Sequence, residues 1–156
     1  MCFLVIRILL LDAFVQLLNA KQSGTFCHAP PPDSCTAEKA IDKDEHSMSS
    51  TLSSEFSWWS VELASVATIK TILVSTNRIV LPYFRRFKVE TRVLPSDPWK
   101  VCKGEHSMQS PRFHMVQCEN VTVAGYVRLS VAGFAGVVVS LMLYDVKVTG
   151  SPTGKV

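Results

Sequence analysis

The chain has 156 residues, a formal net charge of +3 and 19% charged residues. That length suits one domain with a sizeable core and is short for two. So mild a charge supplies no field that argues for a nucleic-acid partner, and no basic run, zinc-ligand spacing or phosphate-cradling glycine pattern is present.

Residues 1–18, MCFLVIRILLLDAFVQLL, are mostly apolar and run into NAKQSG, with Ala20 before a potential cleavage point. This reads as a secretory signal over residues 1–20, too short and too interrupted by Arg7 and Asp12 to span a bilayer well. The alternative is a buried strand or helix of the folded domain. Removal of the signal would take Cys2 with it. A glycosylation sequon at Asn120 (NVT) points independently to export.

From residue 21 onward the pattern is β. TIKTILVSTNR, RFKVETRV, FHMVQC, GYVRLSV and VVVSLMLYDVKV read as strands. The breaks fall at PPPDS, LPSDP, KGEHSMQSP and VAGFAG, which carry turn chemistry. Many short strands at this spacing predict an all-β fold, an antiparallel β-sandwich or jelly roll over residues 21–150, with SPTGKV (151–156) as a flexible tail. In WWSVEL the alternation sends Trp58, Ser60 and Glu62 to one face and Trp59, Val61 and Leu63 to the other, which makes Trp59 a core anchor.

The order of landmarks carries a resemblance. QSGTF, AEKAIDKD, WWSVEL, TIKTILVSTNR, RFKVE, a cysteine pair, AGYVRLSV and LMLYDVKVTG, over about residues 22–150, resemble the F-type lectins. These fucolectins are secreted fucose-binding relatives of the discoidin-like, coagulation-factor type C domains. WWSVEL corresponds to the family's Trp-Trp-x-Val-Asp-Leu, and AIDKD to its Ala-x-Asp-Gly-Asn. The fold implied is a galactose-binding-domain-like jelly roll.

The resemblance implies a disulfide between Cys102 and Cys118, and closing a loop of about 15 residues is worth roughly 3 kcal/mol in the chain-entropy model. A second bridge common in the family would join positions that are Ser50 and Tyr144 here, so both partners are missing together. Cys27 and Cys35, flanking HAPPPDS, are close enough to pair instead. The alternative is two free thiols, which an oxidising compartment disfavours.

The family's structural calcium site maps onto Lys39, Asp42, Asp44, Ser49, Tyr144 and Asp145. Calcium takes six to eight oxygens, and Asp42 and Asp145 would supply carboxylates while the others supply backbone or hydroxyl oxygens. Lys43 replaces a glycine there, which strains the loop if φ is positive. Without the resemblance, DKDEH is an acidic surface turn.

The stretch STNRIVLPYFRRF (75–87) holds the family's sugar loop. Those lectins grip fucose with one histidine and two basic residues, and an arginine fork suits neighbouring oxygens. Arg78 matches the first arginine. The acidic residue two positions on is Val80, and the vicinal cysteines are Leu81 and Pro82. The second arginine is Arg85 when counted without gaps, whereas alignment on the following strand puts Tyr83 in its place. The histidine position is Leu52, and His46 lies six residues upstream.

The expected protein is therefore a secreted, fucose-type carbohydrate-binding lectin with an altered or partly decayed site. Its partners would be glycans or glycoproteins, with avidity gained by clustering into an oligomer. The alternative is a discoidin-like adhesion module, with LPYFRRF facing an anionic phospholipid membrane or a protein. Catalysis is not expected: His28, His46, His106 and His114 sit in or beside turns with no nucleophile signature near them.

Overall fold

The structure, a computed structural model, describes residues 13–27, 35–76, 86–108, 114–133 and 136–153. Among the described residues ten strands are formed: β1 (Ala13–Phe14), β2 (Leu17–Gln22), β3 (Ser49–Ser50), β4 (Phe56–Ser75), β5 (Arg86–Arg92), β6 (Lys100–Ser107), β7 (His114–Val116), β8 (Thr122–Ala132), β9 (Met142–Leu143) and β10 (Asp145–Pro152). A short 3-10 helix covers Ala37–Ala40. Every named strand pairing is antiparallel.

The 20-residue β4 organises the sandwich. Its first half alternates, with Ser57, Trp59, Val61 and Leu63 buried. This half pairs with β2 (Leu17↔Leu63) and with β8 (Trp59↔Leu129, Val61↔Val127). A register break between Glu62 and Ala67 then turns the strand. Its second half pairs with β10 (Val74↔Val146) and β7 (Ile72↔Val116), so one strand serves both layers. β5 lies between β8 and β6, and β1 edges β10. Trp59, Val61, Phe87, Val89, Val127 and Leu129 meet Ile72, Val74, Val116, Val146 and Val148 in a single core. Trp59 is fully buried, and its indole N–H donates to the Ala37 carbonyl at 2.9 Å, which meets the demand of a polar atom in an apolar interior.

Both expected disulfides are formed, Cys27–Cys35 and Cys102–Cys118. At the bulge between Thr149 and Gly150, a Cβ on Gly150 would collide with the Thr68 carbonyl, so close backbone approach requires glycine there.

The strand boundaries differ from the sequence reading in four places. Strand pairing extends to residues before 21: Ala13–Phe14 pair with β10, Leu17–Gln22 pair with β4, and Ala20 is buried at 4% exposure. Residues 1–12, the greater part of the expected signal, lie outside the described residues. KGEHS, expected as a break, lies in β6. No atom lies near the position a Gly104 Cβ would take, and an open edge tolerates the polar residues that made this stretch look like a turn. The apolar run 137–148 divides at Tyr144 into β9 and β10, because its halves join different sheets. Finally, Ser151 and Pro152 pair with Thr68 and Ala67, so the expected tail is held through its first two residues.

Candidate functional site

The described residues on either side of the expected sugar loop are held by β9 and the 50–52 segment. Ser75 and Thr76 close β4 and Arg86 opens β5; these flank residues 77–85. The Thr76 hydroxyl donates to the Met142 carbonyl at 3.0 Å, and the Tyr144 N–H donates to the Ser75 carbonyl at 2.9 Å. Met142 in turn pairs with Ser50, and the Thr51 N–H donates to Leu141 at 3.0 Å. The stem of the arginine segment is thereby tied to the 50–52 segment through β9. Arg78, Tyr83 and Arg85 lie outside the described residues, as do Val80, Leu81 and Pro82.

Leu52, at the position of the lectins' histidine, is 51% exposed and offers an apolar surface. His46 is exposed in the acidic turn, where its backbone N–H donates to Asp44 Oδ1 at 2.9 Å. That bond fixes the turn and leaves the imidazole in solvent.

The turn after the 3-10 helix concentrates oxygens. The Ser47 hydroxyl lies 3.0 Å from the Lys39 carbonyl, 2.8 Å from each Asp42 carboxylate oxygen and 3.1 Å from the Asp44 carbonyl. One hydroxyl has one proton, so these acceptors cannot all be satisfied by it. Burial pushes the Asp42 carboxyl up, but the Asp44 N–H, the Ser47 hydroxyl and the Lys39 ammonium outweigh it and hold the group below the usual carboxylate range. The Lys39 ammonium sits 3.6 Å from the same carboxylate. Lys43 has φ 66°, the left-handed conformation that the resemblance assigns to glycine.

The rest of the oxygen set arrives through sheet pairing. Ser49 pairs with Leu143, next to Tyr144 and Asp145. Asp145 is buried at 7% exposure, accepts from Lys147 Nζ at 2.9 Å, and lines a cavity of about 600 Å³ together with Lys43 and Glu45. Ser49 Oγ donates to Gln22 Oε1 at 2.7 Å, which turns its proton toward β2 and leaves its lone pairs as acceptors. Among the described residues no three His, Cys, Asp or Glu side chains converge as metal ligands.

Sequence reasoning missed a polar cluster on the outer face of β5 and β8. Glu90 Oε2 accepts from Arg128 Nε and from Ser130 Oγ, both at 2.9 Å. The Arg92 and Arg128 guanidiniums lie 4.4 and 4.5 Å from the Trp99 ring centroid. Only strand register brings these residues together, since Glu90 pairs with Arg128 across 38 residues of sequence. Asn120 is exposed in the turn before β8, and the Thr122 hydroxyl donates to its carbonyl at 2.9 Å.

No protein-family model matches the chain, and no curated protein does. Solved structures do. A fucolectin from striped bass (Morone saxatilis) serum is 18% identical with a TM-score of 0.69; the match covers 88% of this chain and 48% of that one, so this chain spans about half its length. The lectin-binding domain of lectinolysin, in complex with Lewis b, is 19% identical with a TM-score of 0.67, over 85% of this chain and 92% of that one. A family 32 carbohydrate-binding module from Clostridium perfringens, in complex with GalNAc-β-1,3-galactose, is 14% identical with a TM-score of 0.66, over 83% and 93%. The chain has the antiparallel β-sandwich fold that fucolectins share with the discoidin-like carbohydrate-binding modules.

Proposed function

We propose that the protein is a secreted carbohydrate-binding protein, a fucose-type lectin whose sugar site is altered and whose fold is tied by a structural calcium ion. The observation that carries the reading is the recurrence of glycan complexes on this fold, Lewis b in one neighbour and GalNAc-β-1,3-galactose in another. Arg78 is the sugar contact, with its fork on adjacent hydroxyls, and Arg85 or Tyr83 is the second contact according to register. Leu52 replaces an imidazole donor with an apolar surface, which favours packing against a sugar face over a hydrogen bond to its rim.

Lys39, Asp42, Asp44, Ser49, Tyr144 and Asp145 would hold calcium. The gathering of the Lys39, Asp42 and Asp44 oxygens around one point, the Ser47 hydroxyl, supports this, since calcium binds where carboxylate and carbonyl oxygens cluster. The ion's role would be to join the 39–49 segment to β10. Two disulfides and an exposed sequon suit an oxidising, extracellular compartment. Among the described residues no helix is long and apolar enough to cross a membrane.

A glycan array in millimolar calcium tests the proposal, with Arg78→Lys and Arg85→Ala alongside the parent chain. Fucose-inhibitable binding that Arg78→Lys weakens is expected, because an ammonium cannot reproduce the two-pronged contact. Loss in Arg85→Ala selects the ungapped register. Full glycan binding by Arg78→Ala, or liposome sedimentation that no sugar inhibits, would sink the lectin reading.

A further inference from the structure

Two histidines that the binding site leaves unused face each other at the edge of the sandwich. His106 belongs to β6 and pairs with Phe87 of β5, while His114 belongs to β7 and pairs with Val74 of β4. They come from the two layers, yet their Nε2 atoms are in direct contact and their ring centroids lie 4.5 Å apart. Phe87, itself 1% exposed, meets both rings edge-on, at 5.9 Å and 6.4 Å. The buried phenyl ring thus limits how far either imidazole can turn. Both histidines stay half-exposed, so solvent reaches the pair.

Sequence symmetry explains how they meet. His106 stands four residues after Cys102, and His114 stands four residues before Cys118. The Cys102–Cys118 bridge and the Glu119 N–H, which donates to the Cys102 carbonyl at 2.9 Å, pin the two chain segments together. Equal steps along antiparallel segments from one fixed crosslink arrive opposite each other.

We propose that His106 and His114 form a two-imidazole site for a divalent late transition-metal ion, Zn2+ or Cu2+, at the open edge between β6 and β7. Neutral imidazole nitrogen is a preferred ligand for these ions, whereas calcium takes oxygens, so this site and the Asp42 turn select different metals. A hydrogen bond between two imidazoles uses one proton where each ring has one Nε2, and an ion between the nitrogens uses a lone pair from both. The neighbouring charges are Lys103, which is ion-paired with Glu119 at 3.3 Å, and the exposed Arg86–Glu105 pair at 3.9 Å. Two protein ligands leave coordination positions for water or for an oxygen or nitrogen group of a second molecule. The bound ion would bridge the two layers at a point where no strand pairing joins β6 to β7.

The test uses the full chain without an affinity tag, saturated with calcium so that oxygen sites are filled. Isothermal titration with Zn2+ should show one ion per chain. His106→Ala and His114→Ala should each weaken binding by more than about tenfold, since even groups that only orient a metal ligand are worth ~10–100-fold. Histidine proton resonances of the unsubstituted chain give a second readout that does not depend on variants folding. On adding Zn2+, the His106 and His114 signals should shift together while those of His28 and His46 stay in place. Absence of zinc binding by the parent chain, binding retained in the double alanine variant, or shifts confined to His28 and His46 would each overturn the proposal.

Discussion

Glu90→Gln isolates the buried polar cluster on β5. Glu90 is 8% exposed, and one carboxylate oxygen takes both the Arg128 and Ser130 hydrogen bonds. Removing one partner of a buried pair costs about 3–5 kcal/mol, because a charge is left uncompensated. Arg128 retains 18% side-chain exposure and its stacking on Trp99, which brings the expected loss down to about 2–3 kcal/mol.

The pH dependence carries the sharper test. Burial raises the Glu90 carboxyl, but the hydrogen bonds from Arg128 and Ser130, together with the charges of Arg128 and Lys88, outweigh it and hold the group below its ordinary value of 4.5. A depressed folded-state pKa means that the stabilisation is complete above the unfolded value and is lost as pH falls through the folded one. Urea unfolding of both chains at pH 7 and at pH 3 should therefore show the gap between them shrinking at the lower pH, which lies below the ordinary value at which the unfolded chain's glutamate takes up its proton. A gap that stays constant with pH, or a glutamine variant as stable as its parent at pH 7, would refute the assignment.

Three further outcomes are expected. The Cys102–Cys118 bridge closes 16 residues and Cys27–Cys35 closes 8, so double alanine variants should lose about 3 and about 2.5 kcal/mol respectively; urea midpoints in reverse order would contradict the loop-closure account. Thermal melts in chelator and in millimolar calcium should differ, and Asp42→Ala should abolish the difference; an unchanged midpoint would leave the 42–46 segment as a plain acidic turn. Gly150→Ala should destabilise by about 1–3 kcal/mol, since its methyl group meets the Thr68 carbonyl; stability equal to the parent's would show that the bulge relaxes.

The core was the most legible part of the fold, and the reason is periodicity. Trp59, Val61 and Leu63 follow a strict alternation, and all three are buried. The Cys102–Cys118 bridge was legible through the resemblance, and Cys27–Cys35 through proximity in sequence. Edges were harder to read. Lys100–Ser107 pairs on one side only, so its composition resembles a turn. The left-handed Lys43 could be anticipated because the position called for glycine. The His106–His114 contact and the Glu90 cluster depend on register across many residues, and no local pattern encodes register.

The double service of β4 has a consequence for how the chain acquires its structure. This strand is complete by residue 75, yet its partners β8 and β10 begin at residues 122 and 145. During synthesis, residues 76–121 must follow β4 before β8 begins, and residues 76–144 before β10 begins and the second layer can close. Until then Trp59, Ile72 and Val74 have no interior to enter. Loops that long make closure costly in entropy before any contact rewards it, which predicts slow refolding for the size of the domain. The last of the described strands to emerge, β10, is therefore the one that completes the second layer and the burial of β4. Early termination just before β10 would leave β4 paired with β2, β7 and β8 but strip its second half of its longest partner, with Ile72 and Val74 uncovered on that side.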